Sequence, residues 1–144
     1  MYAVVLPTQT NKQFMKHKLN ILIVDSSALA RTRIKELLIE NKGQINTAAV
    51  RSEAEALNML RLLKIDAIIL DIHLPVRMGL SLLREIKSKY PFIKVIVFCN
   101  YEKPMFKNYC FKLGADFFYN KATEFPMLTK TVSLIANYRT YEAA

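Results

Sequence analysis

The sequence predicts a doubly wound α/β domain on a five-stranded parallel sheet ordered 2-1-3-4-5, and three observations carry that expectation. Short apolar runs rich in β-branched residues alternate five times with stretches of helical periodicity. Parallel strands need crossover connections, and right-handed crossovers lay helices on both faces of the sheet. Three of the runs (Leu19 to Val24, Asp66 to Leu70 and Ile93 to Phe98) are apolar almost throughout, as strands buried on both faces must be. Those three fit the central places, and ligand chemistry belongs at their carboxyl ends.

Leu19 to Val24 is interrupted only by Asn20, and Asp25-Ser26-Ser27 can end the strand and cap a helix over Ala28 to Asn41. Leu29, Ile34, Leu37, Leu38 and Ile39 are expected on one stripe of that helix, with Arg31, Arg33, Lys35, Glu36 and Glu40 mostly outside it. Gly43 suits the helix end. Gln44 to Val50 is a less apolar second strand, fit for an edge. Ser52 and Glu55 stand at capping-box spacing ahead of a helix over Glu53 to Leu63. The third strand, Asp66 to Leu70, ends at Asp71. A turn through Ile72 to Met78, containing Pro75, leads to a helix from Gly79 to about Lys89, which Pro91 stops. After the fourth strand, Ile93 to Phe98, come a loop over Asn100 to Lys103 and a helix over Pro104 to Leu113, with Gly114 as its stop. Asp116 to Tyr119 is a short fifth strand. Thr123 is expected to cap a last helix that tolerates Pro126 in its first turn and runs to about Arg139.

Residues 1–18 show no sustained period. Pro7-Thr8-Gln9-Thr10-Asn11 reads as loop and Lys16-His17-Lys18 as a basic run, so an N-terminal extension over 1–18 is expected ahead of one domain over 19–144. A chain of 144 residues supports one well-buried core. Hydrophobic residues at 52% and charged residues at 23% exclude a disordered chain. No apolar run approaches the roughly 18 to 20 residues that cross a bilayer, so no membrane insertion is expected. Val4-Val5-Leu6 is too short for the apolar region of a signal peptide. Cys99 and Cys110, the two cysteines, are expected as free thiols in a reducing cytoplasm. The net charge of +9 favours acidic partners by long-range steering. Its cations are spread without a polybasic cluster, so a solvated basic surface is the simpler reading and direct nucleic-acid binding rests on charge alone.

At the carboxyl edge of such a sheet, residues distant in sequence converge: Asp25 and Ser26 after the first strand, Asp71 after the third, Cys99 after the fourth and Lys121 after the fifth. Two neighbouring carboxylates repel unless a cation sits between them. A Mg²⁺ ion held by one or two carboxylates is one solution, and the ammonium of Lys121 is another. Simpler readings stand beside these. Asp71 could cap its own turn, Asp25 could cap the first helix, and Cys99 could be a small buried apolar residue. Cys110, among Tyr109, Phe111 and Leu113, reads as packing, and Asp66, at the opposite sheet end, reads as structural.

Ile21-Leu22-Ile23-Val24-Asp25, Ile68-Ile69-Leu70-Asp71, Leu74-Pro75-x-x-Met78-Gly79 and Gly114-Ala115-Asp116-x-x-x-x-Lys121 resemble, in order and spacing, the motifs of the response-regulator receiver family. The resemblance covers about Leu19 to Tyr138 and implies a flavodoxin-like (βα)5 fold with the same strand order. It implies that Asp71 accepts a phosphoryl group from a phosphohistidine on a histidine kinase or histidine phosphotransfer protein. Asp25 and Asp71 would organise Mg²⁺ with the backbone carbonyl of His73, and Lys121 would pair with the phosphoryl group. Cys99 stands where the family favours a hydroxyl that contacts the phosphoryl oxygen; a thiol is a weaker donor. Ser26 replaces the usual second acid, which lowers both metal affinity and repulsion of an incoming phosphoryl group. Phe118 matches an aromatic switch position, Met78 stands where Asp is common, and Ala122 where Pro is common.

The function implied is a phospho-accepting domain of a two-component phosphorelay, cytoplasmic, acting on a downstream protein target. It would not be an enzyme beyond assisting its own phosphoryl transfer and hydrolysis. Ser26 and Cys99 motivate an alternative, a degenerate pseudo-receiver that binds its partner without phosphorylation. A flavin or nucleotide protein is disfavoured, because Asp25-Ser26-Ser27-Ala28 lacks a Gly-rich phosphate loop.

Overall fold

The computed structural model describes residues 18–40, 44–74, 79–100 and 103–143, with side chains as far as 138. The expected extension up to His17, Gly43, Pro75, Met78, and Tyr101 and Glu102 of the fourth loop lie outside the described residues. Ten elements alternate: β1 (Leu19–Val24), α1 (Ala28–Ile39), β2 (Ile45–Val50), α2 (Glu53–Leu62), β3 (Ala67–Leu70), α3 (Gly79–Lys89), β4 (Lys94–Cys99), α4 (Pro104–Lys112), β5 (Phe117–Asn120) and α5 (Phe125–Ala143). The strands form one parallel sheet in the order β2-β1-β3-β4-β5.

Successive strand residues point to opposite faces, so each central strand feeds two apolar layers. Leu22, Ile68, Leu70, Val95 and Val97 pack with residues of α2, α3 and α4. Ile21, Ile23, Ile69, Ile96 and Phe98 pack with Ile34 and Leu38 of α1 and with Leu128 and Val132 of α5. This two-sided burial explains why β1, β3 and β4 read as continuous apolar runs. The less apolar β2 is an edge strand, as its composition indicates.

Several local expectations are corrected. The buried stripe of α1 is Ile34 and Leu38 with Leu37 partly covered, whereas Leu29 and Ile39 are exposed. At 3.6 residues per turn these two lie about 140° away from Ile34, on the far side of the helix. The fourth strand runs on through Cys99, and the fifth starts at Phe117. Asp116 precedes that strand: its carboxylate accepts the Val95 N–H at 2.8 Å and pairs with Lys87 at 3.0 Å. The last helix begins at Phe125, so Thr123 stands one residue ahead of the capping position. The turn there is built on Asn120, whose Oδ1 accepts the N–H groups of Ala122 (2.8 Å) and Thr123 (3.2 Å). The capping signals of Ser27 and Ser52 are met, each Oγ accepting a backbone N–H three residues on at 3.2 Å. Glu55, however, reaches back to the N–H of Arg51 (3.1 Å).

Two glycines are set by close approach. Gly79 opens α3 against the residue after Asp71: its N–H donates to the Ile72 carbonyl at 2.7 Å, and a Cβ there would lie 2.9 Å from Ile72 Cα. Gly114 has φ +107°, a conformation an L side chain rarely takes, and a Cβ would lie 2.9 Å from Lys87 Cγ.

Candidate functional site

β1 and β3 are neighbours in a register that sets Val24 opposite Leu70. The next residue of each strand, Asp25 and Asp71, therefore emerges at the same edge. The Asp71 N–H donates to the Val24 carbonyl at 2.9 Å, which fixes that offset. On the other side of β3, Cys99 is opposite Asn120, and the Lys121 N–H donates to the Cys99 carbonyl at 3.0 Å. Backbone pairing alone thus brings Asp25, Asp71 and Lys121 to one point.

The two carboxylates are used in the same way. Oδ1 of Asp25 accepts the Ser27 N–H and Oδ1 of Asp71 accepts the His73 N–H, both at 2.9 Å. Oδ2 of each faces the Lys121 ammonium at 2.5 Å. The turn-capping reading and the ion-cluster reading of Asp71 therefore hold together, one oxygen serving each. Side-chain exposure falls from Lys121 (14%) and Asp71 (10%) to Asp25 (2%), so Asp71 is the carboxylate more open to a reactant. Burial works against the Lys121 ammonium, but its hydrogen bonds to Asp25 and Asp71 and their charges prevail, holding its pKa above the ordinary lysine value.

Ser26 and His73 are exposed beside this cluster. Cys99 is brought to it by its carbonyl, while its side chain lies fully buried in the apolar layer that also holds Cys110 and Phe118. Burial, then the Asp71 charge and Cys110, push the Cys99 thiol up to about 12 against an opposing pull from Lys121, so it stays protonated at neutral pH. Phe118 packs edge-on against Phe106 of α4, ring centroids 6.1 Å apart. One group sequence reasoning missed is Arg31, whose Nη1 donates to the Asp25 carbonyl at 2.8 Å. The signal available was its position in the first turns of the helix that follows Asp25.

Asp25 and Asp71 bring two carboxylates together at the sheet edge, donors of the kind a hard divalent cation takes alongside waters. No group of three His, Cys, Asp or Glu side chains able to hold a metal occurs among the described residues, consistent with Ser26 where a third carboxylate would stand. The cation between the carboxylates is the Lys121 ammonium.

A family model described as the response regulator receiver domain matches residues 21–133. The transcriptional regulatory protein DegU of Brevibacillus brevis is 24% identical over 131 residues, 91% of this chain and 56% of that protein. A protein-glutamate methylesterase/protein-glutamine glutaminase of Bacillus subtilis is 36% identical over 85 residues, 59% of this chain and 24% of that protein. The chain thus spans little more than half of the first of these relatives and a quarter of the second. Among solved structures, the signal receiver domain of an HD domain-containing protein from Pseudomonas fluorescens superposes with a TM-score of 0.77 at 22% identity, covering 88% of this chain and 93% of that one.

Proposed function

Because the chain belongs to the response-regulator receiver domain family of two-component signalling, we propose that it takes up a phosphoryl group on Asp71 and passes the signal on by protein contact. The observation that carries this reading is the Lys121 ammonium shared by the Asp25 and Asp71 carboxylates at the carboxyl edge of the sheet. Residues 19–144 are the receiver unit and residues 1–18 an extension to it.

In the transfer, a carboxylate oxygen of Asp71 forms a bond to the phosphorus of a phosphohistidine on a histidine kinase or phosphotransfer protein. The P–N bond breaks and its electron pair stays on the imidazole nitrogen. The His73 N–H holds one Asp71 oxygen and so orients the nucleophile. Lys121 loses a carboxylate partner as Asp71 becomes an acyl phosphate and pairs instead with a phosphoryl oxygen, a charge-assisted contact. Mg²⁺, held by Asp25, Asp71 and the His73 carbonyl, would supply further positive charge to the transferring group. Cys99, at the position where the family favours a hydroxyl, keeps its thiol in the apolar layer, so the hydroxyl's contact to a phosphoryl oxygen is weakened here. The chemistry resides in the acceptor itself, so the domain assists its own phosphorylation and hydrolysis and catalyses no other reaction.

The added charge acts on the segment after β4 and the face formed by α4, β5 and α5, where Met105, Tyr109, Phe111, Leu134 and Tyr138 are exposed for a downstream protein. No helix of the described residues is long and apolar enough to cross a membrane, and the proposed setting is the cytoplasm, with its kinases. Addition of beryllium fluoride with Mg²⁺ tests the reading. Amide resonances of Asp71, Cys99 and Lys121 shift if it is right; spectra that stay unchanged, or change equally in Asp71→Ala, contradict it.

A second reading is favoured by Ser26 in place of an acid and by the Cys99 side chain lying inside an apolar layer. On that reading the domain binds its partner without phosphorylation, and Asp71→Ala leaves partner affinity intact.

A further inference from the structure

At the amino end of the sheet, opposite the Asp25–Asp71–Lys121 cluster, a groove of about 320 Å³ runs between the segment joining α2 to β3 and the segment joining α3 to β4. Leu60, Leu63, Ile65, Tyr90, Phe92 and Ile93 line it, together with Pro91, Lys64 and Lys89. Two large apolar side chains of its lining face water: Phe92 is 93% exposed and Leu63 48%. Scattered exposed leucines are ordinary, but contiguous apolar groups rimmed by charge mark interaction sites.

Their exposure is built in. The Ile93 N–H donates to the Tyr90 carbonyl at 3.0 Å, closing a turn with Phe92 at its tip. The partly buried side chain of Lys87 clamps that turn, its ammonium donating to the Ile93 carbonyl (2.9 Å), the Pro91 carbonyl (3.3 Å) and Asp116 (3.0 Å). The facing wall is tied to β1, where Asn20 Nδ2 donates to the Lys64 carbonyl at 2.9 Å and Asn20 O accepts the Asp66 N–H at 2.8 Å. Both walls are therefore fixed before anything binds, which lowers the ordering cost of association.

The charge around the groove is one-sided. Over residues 60–66 and 85–94 the basic side chains are Arg61, Lys64, Lys87, Lys89 and Lys94, against Asp66 and Glu85. Both acids are engaged, Asp66 by the Asn20 N–H (2.8 Å) and Glu85 by Lys89 (2.7 Å), while Asp116 takes Lys87 (3.0 Å) and Lys94 (3.9 Å). The positive surplus therefore rests on Arg61 and Lys64, too few cations to track a phosphate backbone, yet enough to favour a carboxylate. A concave apolar cleft also suits inserted side chains better than a flat lipid surface.

We infer that this groove docks a partner protein through an acidic segment carrying a large apolar anchor, gripped by Phe92 and Leu63. The surface is independent of the phosphoryl chemistry at the other end of the sheet.

The test is selection of a random-peptide phage library on the full chain, followed by titration of the enriched peptides against wild type and variants. Enrichment of peptides with Asp or Glu beside a large apolar residue is expected. Their affinity should fall about tenfold in Phe92→Ser and in Lys64→Glu, and stay unchanged in Asp71→Ala. Both groove positions are exposed, so these variants keep the fold, which circular dichroism checks. Failure to enrich any peptide, enrichment of basic peptides, or affinities unaffected by the groove variants would each overturn the inference. So would tighter binding of anionic vesicles or an oligonucleotide that the same variants abolish, or a dimer that Phe92→Ser dissociates.

Discussion

Lys121→Met would leave the Asp25 and Asp71 carboxylates facing one another without the ammonium that now touches both. Removing one partner of a buried ion cluster strands the others in a poorly solvated place, at a cost of about 3 kcal/mol. Urea unfolding should show that loss, and Asp71→Asn in the same background should restore about 1 kcal/mol by removing one of the two repelling charges. Strictly additive losses would show that the three side chains do not act as a cluster. Cys99 and Cys110 make a second case at this scale. Burial lifts their thiols to about 12 and about 11, so alkylation at neutral pH should wait for opening of the fold. Rapid labelling of either in native protein would place it elsewhere. Asp25, Asp71 and Lys121 were legible as site residues because a strand's end fixes where the next residue goes. Arg31 was not, and for Cys99 a buried apolar role and a site role stood side by side, since each depends on which face of an element a residue occupies.

The elements position the site through their ends, and the glycines show how tightly. Gly79→Ala sets a methyl 2.9 Å from Ile72 Cα, a backbone atom that moves only if the segment after Asp71 moves. A loss of about 2 kcal/mol is expected, within the range for overpacking, together with slower phosphorylation of Asp71. Gly114→Ala combines φ +107° with a contact on Lys87, the residue that clamps the Tyr90–Ile93 turn, and should cost a similar amount while leaving the phosphorylation rate alone. Chemical denaturation and a phosphorylation time course of both variants separate the two effects; equal rates in both would contradict the positioning role of Gly79. Periodicity located all ten elements. Their limits were less legible, because Asp116 and Asn120 use side-chain hydrogen bonds to decide where the fifth strand starts and stops. The stripe of α1 was overdrawn because hydrophobicity is not burial: Leu29 and Ile39 are apolar and face water.

For the whole molecule, the raised pKa of Lys121 links the site to stability. A group bound as its cation in the fold stabilises fully below its unfolded pKa, near 10.5, and that contribution disappears as pH rises through the higher folded value. The stability difference between wild type and Lys121→Met should therefore be constant from about pH 7 to 9 and shrink only in the alkaline range above about 10.5. A difference that shrinks near neutrality would mean that the ammonium is not held as described. The fold class was legible at this scale because alternating strands and helices admit few topologies, and the strand order came in part from the receiver-family resemblance. The amino-end groove was not, because it is made by two connecting segments that sequence periodicity does not describe.

Mass measurement after incubation with acetyl phosphate and Mg²⁺ decides whether Asp71 is the phosphoryl acceptor. Wild type is expected to gain one phosphoryl group, Asp71→Ala none, and Lys121→Met one at a slower rate. No adduct on wild type, or an adduct that persists in Asp71→Ala, would contradict that role.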